Sequence, residues 1–184
     1  MKLLTSRWRW FFATVAIGYL ALMFSTGRLG SHGHFNQADT TGILREPPAA
    51  VTSLDLIRAA RTVHLVKRAG IWQRDDGTEY HTHTLEHVAS ALGFMHTARP
   101  VRELEELDAK RTIEYGLEPP RLTVQLGNEV GVLLRFELGG VNPDGILRYL
   151  RVPGAGGVYL MSGFVGEAWE HLADDLFADE EEAL

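Results

Sequence analysis

The residues best suited to chemistry lie in one short run, HTHTLEH, which carries His81, His83, Glu86 and His87. On a helix His83 and His87 stand one turn apart on the same face, a spacing that lets two imidazoles share a metal ion. Zinc-type centres need three or four converging ligands. A third would have to come from Glu79, Glu86 or a distant segment. The two histidines fall nearly opposite Leu85, Val88 and Leu92, so a solvated helix face is expected, with His83 and His87 as the candidate metal ligands. His64 lies in a strand-like segment and reads as a packed or hydrogen-bonded histidine, while His96 and His171 carry no partner signature. His32 and His34 sit in a glycine-rich stretch without the preorganised shell that gives a metal site its affinity.

Other chemistries find less support. Ser162 stands in LMSGFVG, which departs from the G-x-S-x-G nucleophile turn because position 160 is leucine, and Ser53 and Ser90 have no adjacent base pattern. GGVNPDG and PGAGG lack the Lys-Ser/Thr ending of a phosphate loop and join strand to strand, so they read as hairpin turns. Glu103, Glu105, Glu106 and Asp108 alternate with Arg102, Lys110 and Arg111, the composition of a solvated surface. The chain has no cysteine, which excludes disulfides, thiolate metal sites and a cysteine nucleophile. The expectation is a protein that is not an enzyme and takes no cofactor.

The elements that would position these residues follow from periodicity. VTSLDLIRA, TVHLVKRAG and IWQRDDG read as three strands ending in an Asp-Asp-Gly turn. Leu85, Val88, Ala89 and Leu92 then share one helical face, with Gly93 placed as a stop and Arg99-Pro100 as a break before a charged connector. RLTVQLG and EVGVLLRFELGG alternate strictly, with Val130, Val132, Leu134, Phe136 and Leu138 on one face, and ILRYLRV and VYLMS complete about seven strands. A last helix carries Phe164, Val165, Ala168, Trp169, Leu172 and Leu176 as its apolar stripe. Grouped strands with two packed helices predict an antiparallel α+β domain. Between connector and strands, YGLEPP reads as a structural joint, since Gly116 admits a left-handed turn and Pro119-Pro120 bar a helix.

The 184 residues provide for one domain plus an appendage. The formal charge of −6 equals the carboxylates of Asp174, Asp175, Asp179, Glu180, Glu181 and Glu182, so the rest of the chain is neutral and offers no basic footprint for nucleic acid. At the other end Lys2, Arg7 and Arg9 precede an uncharged run from Trp10 to Gly27. As a helix that run spans about 27 Å at about 1.5 Å per residue, close to a bilayer core. The exit ALMFSTG lacks a small-x-small cleavage site, so a retained signal-anchor is expected and a removed secretory signal is the alternative. The resulting domain plan is a cytoplasmic stub over 1–9, a transmembrane helix over 10–27, a tether over 28–50, a periplasmic domain over 51–177 and an acidic, solubilising tail over 178–184.

Several of these motifs in order, TVHLVKRAGIW ending at Trp72, the helix around Leu85 to Leu92, YGLEPP, the strand ending at Leu138-Gly139 and the hairpin ILRYLRVPGAGGVYL, carry a resemblance. The chain resembles a bacterial family of uncharacterised, membrane-anchored extracytoplasmic proteins, many encoded beside ABC transporters of the gliding-motility type. The likeness spans roughly Val51 to Leu176 and implies architecture and address, with no catalytic residues to carry over. Many members bear a second copy of such a unit, whereas this chain has length for one. Together these readings predict a single-pass protein of the bacterial inner membrane, in contact with lipid through residues 10–27, whose outer domain is a scaffold or accessory subunit for other envelope proteins. The alternative is a periplasmic small-ligand or metal-binding module using His83 and His87.

Overall fold

A computed structural model describes residues 42–78, 80–105, 108–155 and 157–182. The expected anchor over 10–27 lies outside the described residues, as do His32, His34, Glu79 and Glu106. Among the described residues no helix is long and apolar enough to cross a membrane.

Alternation in the first segments gives β1 (Ser53–Arg58), β2 (Arg61–Arg68) and β3 (Ile71–Gln73), a meander with Leu54, Leu56, Val63 and Leu65 on the buried face. The β2–β3 turn has positive φ at both Ala69 and Gly70, the backbone twist that suits a two-residue hairpin. Next comes α1 (Thr82–Thr97), then a short β4 (Arg102–Leu104) and a six-residue α2 (Ala109–Glu114). The four strands β5 (Leu122–Asn128), β6 (Gly131–Val141), β7 (Leu147–Arg151) and β8 (Val158–Ser162) lead into α3 (Gly163–Glu182).

The strands form one antiparallel sheet of eight, ordered β3-β2-β1-β5-β6-β7-β8-β4. Consecutive β3 and β4 therefore occupy opposite edges, and the chain between them crosses one face of the sheet as α1. After β8, α3 returns across the same face beside α1. The core fills the space between: Leu54, Val124, Phe136 and Leu150 from the sheet meet Val88, Leu92 and Met95 of α1 and Val165, Trp169 and Leu176 of α3. Trp169 stands edge-on to Phe136 at 5.2 Å between ring centroids. A smaller cluster on the other face joins Leu117 to Tyr149, Val158 and Leu160.

The fold class is the expected α+β with an antiparallel sheet, and the details differ for identifiable reasons. The eighth strand, β4, comes from the charged connector, where Arg102, Glu103 and Leu104 pair with Leu160, Tyr159 and Val158. The same connector yields α2, capped where the Asp108 carboxylate accepts from Arg111 N–H. Gly93 does not stop α1: it takes no left-handed conformation, and the break arrives only at Ala98, before Pro100. The buried stripe of α1 is Thr84, Val88, Ala91, Leu92 and Met95, rotated from the expected one so that Ala89 is exposed. In β6 only Leu134, Phe136 and Leu138 of the expected inward row are buried; a bulge at Leu126/Gly127 shifts the register, leaving Val132 exposed and Val130 in the hairpin turn at 95% exposure.

Both boundaries of the folded unit move outward. Leu44, assigned by sequence to the tether, is fully buried, and Gly42 and Leu44 N–H groups donate to His96 and Met95 carbonyls. Residues 42–50 thus belong to the domain. The acidic segment from 178 continues α3 to Glu182 rather than trailing as a tail. Its charges are matched across the fold, Glu180 by Arg74 and Glu181 by Arg61.

YGLEPP is a joint, as its residues indicate. Gly116 takes φ +66, Leu117 is fully buried, and the Gly140 N–H donates to Tyr115 O at 2.7 Å where β6 bulges.

Candidate functional site

The antiparallel seam between α1 and α3 gathers the reactive side chains. On α1, His83 and His87 each precede a buried stripe residue, Thr84 and Val88. That offset places the histidines at the flank of the helix, beside α3. On α3, Val165, Trp169, Leu172, Ala173, Leu176 and Phe177 face inward, which leaves Glu167, His171 and Asp175 one turn apart on the helix surface.

The two flanks meet at Asp175. The His87 Nδ1–H donates to Asp175 Oδ2 at 2.6 Å, and His83 Nδ1 lies 3.6 Å from the same oxygen. The two imidazole centroids are 4.1 Å apart. Ligand atoms of His83, His87 and Asp175 all lie within 4.8 Å of one another. One turn further out, His81 Nδ1 approaches Asp179 Oδ1 to 3.5 Å. In the other direction the seam opens into a shallow cavity of about 210 Å³ lined by His87, Ser90, Ala168 and His171, and it ends at the edge-to-face pair Phe94 and Phe164.

The expected solvated histidine face is thus only half right in geometry. His83 is open to solvent, with 69% of its side chain accessible, whereas His87 is half-buried against α3. Asp175 is the partner that local spacing did not reveal, because it lies 88 positions away in sequence. Neighbouring carboxylates are engaged elsewhere: Asp174 faces Arg58, Glu180 faces Arg74 and Glu181 faces Arg61.

His64 stands apart on the opposite face of the sheet. Its Nδ1–H donates to Asp55, its cross-strand neighbour, and Gln125 Nε2 donates to the other Asp55 oxygen at 3.0 Å. Its Nε2 points to Asp75 Oδ1 at 3.6 Å, so both ring nitrogens face carboxylates and neither addresses a hydroxyl nucleophile. His64 is the hydrogen-bonded strand histidine that its sequence position suggested. His96 Nδ1 meets Leu44 O at 3.1 Å and secures the residues entering the domain. Ser53, Ser90 and Ser162 lie on β1, α1 and β8 respectively.

A family model described as a domain of unknown function, DUF4340, matches residues 72–181. The chain belongs to that family. The DUF4340 segment begins on edge strand β3 and runs into the last turn of α3, so it contains the whole seam, with His83, His87 and Asp175. Strands β1 and β2 precede it and complete the sheet of the DUF4340 domain. Neither a curated protein nor a solved structure matches the chain.

Proposed function

We propose that this protein is a non-enzymatic accessory subunit of the bacterial envelope. Its leading segment holds it in the inner membrane with the N-terminus in the cytoplasm, and its outer domain binds other membrane or envelope proteins, a transporter complex being the partner that fits the family resemblance. The observation that supports this reading is an exposed apolar patch at one end of the helix pair. Phe94 and Phe164 are in ring contact at 5.1 Å and are 38% and 49% exposed. Ile146, 66% exposed, accepts at its carbonyl from the N–H of Gly163, the residue before Phe164. Contiguous apolar surface of this kind marks interaction sites, whereas single exposed apolar residues do not.

Site-specific photocrosslinking in intact cells tests the reading. A photoreactive residue at Phe94, Phe164 or Ile146 is expected to give an adduct with one and the same membrane protein. Position Val130, more exposed but at the opposite end of β6, is expected to give none. Equal labelling at all four positions, or recovery of the chain from the soluble fraction, would contradict the proposal.

A further inference from the structure

The seam between the helices carries a feature that the accessory role does not use. We infer that His83, His87 and Asp175 form a binding site for one divalent transition-metal ion of the zinc class, clamping the start of α1 to the last turns of α3.

Donor chemistry points to that class of ion. Two neutral imidazoles and one carboxylate suit zinc, copper or nickel, whereas calcium and magnesium favour sites built from oxygen alone. Donor spacing agrees. At metal–ligand distances of about 2.0–2.1 Å, two donors on a tetrahedral ion lie roughly 3.3 Å apart. The separation of 3.6 Å between His83 Nδ1 and Asp175 Oδ2 is already close to that value. The contact of 2.6 Å between His87 Nδ1 and Asp175 is a hydrogen bond; ligation through Nδ1 takes the other tautomer of the neutral imidazole, with its proton on Nε2, and widens the pair by about 0.7 Å. The exposed His83 ring is free to turn toward the ion. With three protein ligands the fourth position is left to water or to an exogenous donor, the open arrangement that distinguishes a reactive or exchangeable site from a closed structural one.

The site is also selective within its surroundings. Asp174, Glu180 and Glu181 are each neutralised by an arginine, while Asp175 faces only imidazoles in the contacts described above. Asp179 is met at 3.5 Å by the single histidine His81, whereas two imidazoles converge on Asp175. The Asp55–His64 pair on the opposite face supplies one histidine, already held between two carboxylates with Gln125 on one of them, and serves as an internal comparison.

Full-length protein, purified in detergent and stripped of metal, provides the test. Calorimetric titration with Zn²⁺ is expected to show one saturable equivalent, and Co²⁺ is expected to develop visible absorption of a nitrogen–oxygen donor set. The double variant His83→Asn/His87→Asn and the single variant Asp175→Asn should each weaken binding by at least about tenfold, since loss of even an outer partner costs that much. His64→Asn should leave affinity unchanged. Circular dichroism of each variant separates loss of the site from loss of the fold, and the exposed single variant His83→Asn keeps the test alive if the others unfold. Binding that is absent from the parent chain, or equally tight in the folded variants, would overturn the assignment. In the second case the ion sits elsewhere.

Discussion

Arg148 of β7 closes a two-point fork on Glu170 of α3, its Nη1 donating to Oε1 at 2.9 Å and its Nη2 to Oε2 at 2.5 Å. The arginine is buried beneath Gly166, where a side chain of any size would strike its aliphatic stem, and its Nη1 also reaches Gly139 O. This pair ties the last helix to the sheet, and Arg121 Nη1 approaches the same carboxylate at 3.7 Å.

Removing Glu170 leaves the buried Arg148 without its carboxylate, whereas removing Arg148 leaves Glu170 with only the more exposed Arg121. Glu170→Ala is expected to lower stability by about 3 kcal/mol, read as a reduced urea midpoint with an unchanged slope. Arg148→Met, which keeps much of the volume, should cost less than Arg148→Ala.

Gly139 lies where the joint meets the bulge of β6. A Cβ there would collide with the Tyr115 carbonyl and press on Leu117. Gly139→Ala is expected to destabilise the domain by about 1–3 kcal/mol, the range for forced overpacking, whereas Gly154→Asn, at an open turn position with φ +88, should cost far less. Thermal unfolding of the two variants side by side decides the matter.

Burial pushes the Tyr80 phenol up to about 12, with Arg74 opposing and Glu180 reinforcing the shift. Folding therefore favours the neutral phenol. The resulting stability is fully present below the ordinary value of 10 and is lost as pH rises through about 12. Tyr80→Phe should flatten the fall in urea midpoint across that window, and the tyrosinate absorbance of the parent should show one group titrating late.

Trp169 is fully buried against Phe136. Trp169→Ala is expected to cost about 3–5 kcal/mol, and Trp169→Phe considerably less, because it retains the edge-to-face contact. By contrast, Glu181→Gln removes an exposed ion pair with Arg61 and should change stability by under about 1 kcal/mol. Denaturant unfolding distinguishes the two classes.

What could be read from the residues was what depends on short-range pattern. Leu122, Val124 and Leu126 alternate, so β5 was legible; Pro100 bars a helix, so the end of α1 was bracketed; Gly116 and the two prolines announced a joint. Partnership over distance was not legible. Asp175 and His87 meet only because α1 and α3 are laid antiparallel, and a histidine pair with a remote acid has no local signature. The same holds for β4, where three mostly polar residues become a strand through backbone pairing with β8 rather than through any period of their own. The acidic end misled for a related reason. A run of like charges signals solvation, but here Arg58, Arg61 and Arg74, from the other end of the domain, supply the matching charges.

The strand order has a further consequence for how the polypeptide matures. Sequence neighbours β1 and β2 pair at once, yet the second neighbour of β1 is β5, and Ser53 must wait for Gly127. Until that segment leaves the ribosome, one border of the nascent hairpin offers free amides and carbonyls to any passing strand. Assembly is thereby slowed by the long closure.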